Sequence, residues 1–328
     1  DQKKHLAMAY DYLGMIHINH KIDLDKVDEL WNKSYSIRKK LEDKDLEATS
    51  LQKLSSLSHV MEKNIKKAIK LGEKALKIWE ELEDIESVII QLNNMGGYYI
   101  SAGWEKGDFA VALKYFQRAL TLSIENDFKQ HEATCLGRLG SYYETKIDFV
   151  KAMSFRKKAL KIQIDKARIF DTNMSIGSLY LKTGEPNKAL SCFISAFKTF
   201  KFKEDDLEMN SWFNNRIGAA YYDLGEYSRA EQYIKNAIKL NERLGRDLHR
   251  SLSIAHLYAC YKEQNKNYHG KELENLKNKL FENLDSRDNF LLYKVLDDNS
   301  YLQLAYDNIQ KSVEGLDNKL KERFLKYP

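Results

Sequence analysis

Through the middle of the chain, apolar and small positions recur in a fixed order. Four segments, Asn94-Met95-Gly96-Gly97-Tyr98-Tyr99, Arg138-Leu139-Gly140-Ser141-Tyr142-Tyr143, Ser175-Ile176-Gly177-Ser178-Leu179-Tyr180 and Arg216-Ile217-Gly218-Ala219-Ala220-Tyr221, each read apolar-Gly-x-x-Tyr. Behind each come two Ala seven residues apart: Ala112 and Ala119, Ala152 and Ala159, Ala189 and Ala196, Ala230 and Ala237. The first Ala follows its Gly by 12 residues in the last three segments and by 16 in the first, which predicts a longer loop around Trp104 to Gly107. Small residues at these intervals let paired helices approach closely while Tyr, Phe and Leu fill the space between them. The pattern therefore predicts antiparallel helical hairpins, stacked so that neighbours share one core.

Weaker copies extend both ways. Leu13-Gly14 followed by Val27, Trp31 and Ser34 reads as a first hairpin, and Ala68 with Ala75 marks the second helix of the next. Ala255 and Tyr258 begin another, and Asn289 to Leu296 with Ser300 to Val313 read as a final, eroded pair. Gly184 and Gly225 suit the left-handed residue that ends a helix, and Pro186 suits a first helical turn, where no amide donor is missed.

This arrangement resembles the tetratricopeptide repeat (TPR). Phe116 and Phe193 stand four residues after their Ala as in that family; Arg156 and Ile234 depart from it, and the family's closing Pro is absent throughout. Successive first-Ala positions lie 40, 37 and 41 residues apart, a long spacing similar to that of Rap-type receptors, kinesin light chains and the sensor arrays of STAND NTPases. The resemblance implies an all-α, right-handed α-solenoid of antiparallel helical hairpins. It implies a single domain over 1–328, with clear repeats at 86–245, degenerate ones at 1–85 and 246–315, and a capping helix at about 317–327.

Composition supports helices. Only 2 residues are Pro and 15 Gly, where average usage would give about 16 and 23. Hydrophobic residues make up 43% and charged residues 31%, too apolar for a disordered chain. Lys plus Arg number 53 against 48 acids, and the net +5 reads as spread along the chain rather than gathered into a basic arm. Cys135, Cys192 and Cys260 are odd in number, far apart and set in apolar helical stretches, which reads as reduced buried thiols and a cytoplasmic protein. No apolar run is long enough to span a bilayer.

Catalytic motifs are missing: no phosphate-binding Gly loop, no G-x-S-x-G, no H-E-x-x-H, no C-x-x-C. His17 with His20 has ligand spacing but lacks a third ligand, and His256 with Cys260 lacks an orienting acid or amide. No catalytic residue, metal or cofactor is expected. A hairpin array binds instead, and the first helix of each pair is expected to line a concave groove. Facing it would be Asn93, Asn94 and Gly97; Arg138, Ser141 and Glu144; Met174, Ser178 and Lys182; and Trp212, Asn215, Arg216, Ala219 and Tyr222. Asn94, Arg138, Lys182, Trp212, Asn215, Arg216 and Tyr222 are the candidate ligand contacts. Asn both donates to and accepts from a peptide backbone, and Arg forks onto a carboxylate or phosphate; Asn94 and Asn215 could equally bond to neighbouring hairpins. The expected function is a non-catalytic scaffold or sensor that captures a peptide or protein segment, as the regulatory part of a larger bacterial signalling or defence protein. One alternative is a nucleic-acid-binding repeat protein, disfavoured because Glu125, Glu144 and Asp223 interrupt a basic stripe; another, compatible with the leading reading, is a regulator of an enzyme domain absent from the chain. Self-association is compatible with the sequence.

Overall fold

The structure is a computed structural model that describes residues 2–19, 23–61, 64–106, 109–199, 206–268, 284 and 286–313. Among the described residues there are fifteen helices and no strands. They run as α1 (Gln2–Asn19), α2 (Leu24–Lys40), α3 (Lys44–Met61), α4 (Ile65–Glu81), α5 (Ile85–Lys106), α6 (Phe109–Glu125), α7 (Lys129–Thr145), α8 (Phe149–Ile162), α9 (Lys166–Lys182), α10 (Pro186–Thr199), α11 (Leu207–Asp223), α12 (Tyr227–Arg243), α13 (Asp247–Glu263), α14 (Ser286–Leu296) and α15 (Asn299–Val313). Within each unit described below, sequential helices pack on one another as antiparallel helical hairpins. The expected capping helix at about 317–327 lies outside the described residues. Contacts group the chain into two compact units, Asp1–Tyr142 and Tyr143–Pro328, which divide within α7.

One turn chemistry joins the helices. Glu83, Asp127, Ile147, Gly184, Gly225, Gly245 and Asn265 all adopt positive φ just past a helix end. The residue after each returns its N–H to a carbonyl five residues back, as Asp84 does to Trp79 at 3.1 Å and Glu226 to Tyr221 at 2.9 Å, closing the orphan carbonyls of the last turn. Two of these turns then start the next helix with an acidic cap: the Asp84 and Asp148 carboxylates accept from the amides of Ser87 and Lys151, each at 3.1 Å. The four extra residues of the first clear repeat do not lengthen a loop. They lengthen the helix, since α5 has 22 residues where α7, α9, α11 and α13 have 17.

The recurrent Gly is where two helices of a hairpin touch. A Cβ on Gly96 would stand 2.5 Å from Phe116 Cε1, and one on Gly218 would stand 2.6 Å from Ile234 Cγ1; Gly14 faces Trp31 and Gly177 faces Phe193 in the same way. Phe116, Phe193 and Ile234 are fully buried there, each contributing about 2–3 kcal/mol of burial. At the equivalent place in α8 stands Arg156, whose guanidinium pairs with Glu144 at 2.9 Å.

Candidate functional site

Three of the hairpins are tied to the next by a polar clamp at matching positions. Its members are the residue three before the small Gly of the first helix, the fifteenth residue of the second helix, and the seventh residue of the next first helix. In the first unit one clamp is ionic: Arg38 Nη2 lies 2.7 Å from Asp11 Oδ2, Arg38 Nη1 donates to Ser50 Oγ at 2.9 Å, and Lys53 joins Asp11 at 2.6 Å. Another is neutral: Asn93 Nδ2 donates to Cys135 Sγ at 3.2 Å, with Ser123 Oγ 3.6 Å from the same sulfur. In the second unit Ser253 Oγ donates to Asn215 Oδ1 at 2.7 Å while Asn241 Nδ2 donates to Ser253 Oγ at 3.4 Å. These positions hold neighbouring hairpins in register, so Asn215 spends its carbonyl on the following repeat and Asn93 is buried. Met174 and Ala219, expected at the groove, are core residues.

The open surface of the first unit begins one residue further along. Among the described residues Asn94, half-buried, makes no hydrogen bond, and Arg138, exposed at the equivalent place on α7, makes no ion pair. Beside them Gly97 and Gly137 leave bare backbone, because a Cβ on either would meet nothing within 4 Å. The same face of α5 continues to Tyr98 and Ser101, which meet α3: Tyr98 Oη is 3.1 Å from Ser56 Oγ, and His59 Nε2 is 2.8 Å from Ser101 Oγ. Burial holds the His59 imidazole below its ordinary pKa and therefore neutral. This strip combines bare backbone, amide and hydroxyl groups and one unpaired guanidinium.

In the second unit the candidate residues are engaged. Lys182 donates to Glu144 Oε1 at 2.8 Å; burial pushes the Glu144 carboxyl up, but Lys182 and Arg156 outweigh it and hold the group below its ordinary value. Trp212 packs edge-on to Phe170 at 5.8 Å. Tyr222 donates to Glu263 at 3.5 Å and accepts from Lys294 at 3.4 Å, with its hydroxyl pushed well above the usual tyrosine range by burial and by Glu263. Arg216 is half-buried and already bonded.

The thiols are not activated. Burial pushes Cys260 up to about 12 and also raises Cys135 and Cys192, so none is a thiolate at neutral pH. His256 Nδ1 lies 3.0 Å from the Leu252 carbonyl oxygen. His20 lies outside the described residues. Among the described residues no three His, Cys, Asp or Glu side chains come together as a metal site, and no helix is long and apolar enough to cross a membrane.

A tetratricopeptide repeat model matches residues 215–244, the end of α11 with α12. Among solved structures the chain is similar to the apo form of RapI, with a TM-score of 0.60 and 19% identity over 94% of this chain and 99% of that one. It is also similar to a Rap protein complexed with Competence and Sporulation Factor, at 0.54 and 16% over 78% and 75%. A third likeness is to a signal transduction ATPase with numerous domains and a TPR sensor from Pyrococcus horikoshii, at 0.61 and 16% over 98% of this chain and 46% of that one. No sequence match was found among curated proteins. The matched segment and these likenesses show a TPR-type helical repeat fold.

Proposed function

We propose that the protein is a non-catalytic binding module that holds an extended peptide or protein segment against the first-helix face of its first unit, around Asn94, Gly97, Gly137 and Arg138. The observation that carries this reading is the unpaired Arg138 guanidinium standing among residues whose backbone is left bare. Glycines there let a ligand main chain come within hydrogen-bonding distance, Asn94 can both donate to it and accept from it, and Arg138 takes an acidic side chain or terminal carboxylate. The Rap protein solved with Competence and Sporulation Factor shares the fold, which supports a ligand-binding use of this scaffold. The finer role is a regulatory part of a larger signalling protein, in line with the sensor array of the STAND protein.

The test is a peptide-library screen, with single-stranded nucleic acid in parallel, against wild type, Asn94→Ala, Arg138→Ala and Gly97→Leu. Peptide affinity should fall about tenfold or more with each substitution, given about 1.5–3 kcal/mol for a hydrogen bond to a charged group. Peptide binding unmoved by all three, or binding of nucleic acid alone, rejects the reading.

A further inference from the structure

The net charge of +5 is not evenly spread. Residues 149–198 carry ten Lys and Arg against three Asp and Glu, and α8 and α10 contain no acid at all. The solvent-facing side of α8 presents Lys157, Lys158 and Lys161, and that of α10 ends in Lys198; all four are exposed and have no ion pair among the described residues. The two helices meet over one ring, since Lys157 Nζ and Lys188 Nζ lie 5.4 and 5.6 Å from the centre of Tyr180. Alongside, Lys158 covers Phe155 at 5.6 Å, Phe155 stacks on Tyr143 at 5.3 Å, and Lys151 covers Tyr143 at 5.0 Å.

Lys151 and Lys188 are also paired with Asp148 and Glu185, whereas among the described residues Lys157 and Lys158 lie over rings without an acid beside them, so their ammonium groups are held in place and stay open to a partner. Exposed Val150, Ile194 and Phe197 stand on the same two helices. We infer that this face of α8 and α10 is a second docking surface, separate from the strip on the first unit, and that its partner is an acidic protein segment carrying interspersed apolar side chains. Charge complementarity selects an anion, and the intervening apolar residues select one with apolar groups of its own. Nucleic acid fits less well. The Tyr180 and Phe155 faces on which bases would stack are capped by lysines, and Arg156, beside them in sequence, is turned inward onto Glu144.

The probe is a fluorescein-labelled 20-residue peptide of Glu and Leu in helical amphipathic order, titrated by anisotropy into the full chain at low and physiological salt. A single-stranded DNA 20-mer and phosphatidylserine vesicles serve as alternative anions. Three proteins are compared: wild type, Lys157→Glu/Lys158→Glu/Lys161→Glu, and Lys66→Glu/Lys70→Glu/Lys74→Glu, which makes the same charge change on exposed positions of α4. Peptide affinity should drop about tenfold or more in the α8 variant, stay within about threefold in the α4 variant, and weaken with salt. The α8 substitutions should cause the same fold loss when made in an Arg138→Ala background, which separates this surface from the inner strip. Equal losses in both triple variants, no peptide binding by a wild type whose helical circular dichroism is intact, or binding of DNA or vesicles in place of the peptide would each overturn the proposal.

Discussion

Asn94 and Asn215 are the same residue type on the same kind of helix, yet only one of them is committed. Asn215 accepts from Ser253, 38 residues away, so Asn215→Ala removes a bond between repeats, although Ser253 Oγ also lies 2.8 Å from the His249 carbonyl oxygen and keeps an acceptor there. A loss of about 0.5–1.5 kcal/mol in urea unfolding is expected; Asn94→Ala, which breaks no bond among the described residues, should leave stability within about 0.5 kcal/mol. That difference was not legible in the sequence, because it depends on which side chain of the next repeat arrives opposite; Arg138 and Arg216 likewise share one position relative to their Gly, yet Arg216 is already bonded. Charged groups separate in the same way. Glu144 neutralises Arg156, whose side chain is only 11% exposed, and Glu144→Ala should cost about 1–3 kcal/mol, because a mostly buried cation loses its partner. Since the folded carboxyl is held below its ordinary pKa of 4.5, its stabilisation is complete above that value and is lost as pH falls through the folded one. His59 has the opposite charge logic and the same sign. Its folded pKa lies below 6.5, so the unfolded chain binds the proton first and stability drops as pH falls from 6.5 toward the folded value. His59→Gln should remove that component from a stability profile measured between pH 7 and 5.5.

At the scale of the helix, identical substitutions are expected to act in opposite directions. Gly177 sits against Phe193, and a methyl there overpacks the hairpin, at a cost of about 1–3 kcal/mol. Gly97 faces open space in the interior of α5, where replacing Gly with Ala stabilises a helix by about 0.5–1 kcal/mol. Thermal melts of Gly177→Ala and Gly97→Ala should therefore shift to opposite sides of wild type; a common direction would contradict the packing described for one of them. The sequence made the hairpins legible because Gly-to-Ala spacing records which turns of two helices touch, and this worked even in the eroded first repeat, where Gly14 meets Trp31. It misassigned the four extra residues near Trp104, since nothing in the spacing distinguishes an added helical turn from an added loop. Met174 and Ala219 were misplaced for a related reason: adjacent positions on a helix differ by about a hundred degrees, and the boundary between core and open face falls between them.

Within each unit, contacts among the described residues run mainly between consecutive helices, and stability in such an array is a sum of hairpin terms and nearest-neighbour couplings. The polar clamps are such couplings, and they differ in strength along the chain. The first is the most vulnerable to single substitution, because Arg38 is 4% and Asp11 7% exposed and removing one partner leaves the other charge buried, at about 3–5 kcal/mol. In a globular core that loss would be felt everywhere. Here Asp11→Ala should act locally: hydrogen exchange in α1, α2 and α3 should accelerate by two orders of magnitude or more, on the order of 10² for each ~2.7 kcal/mol of lost local stability. Exchange in α11, α12 and α13, held by Asn215, Asn241 and Ser253, should not move. A uniform acceleration along all the helices would show instead that the two units open as one cooperative body, and the nearest-neighbour account of this molecule would fail.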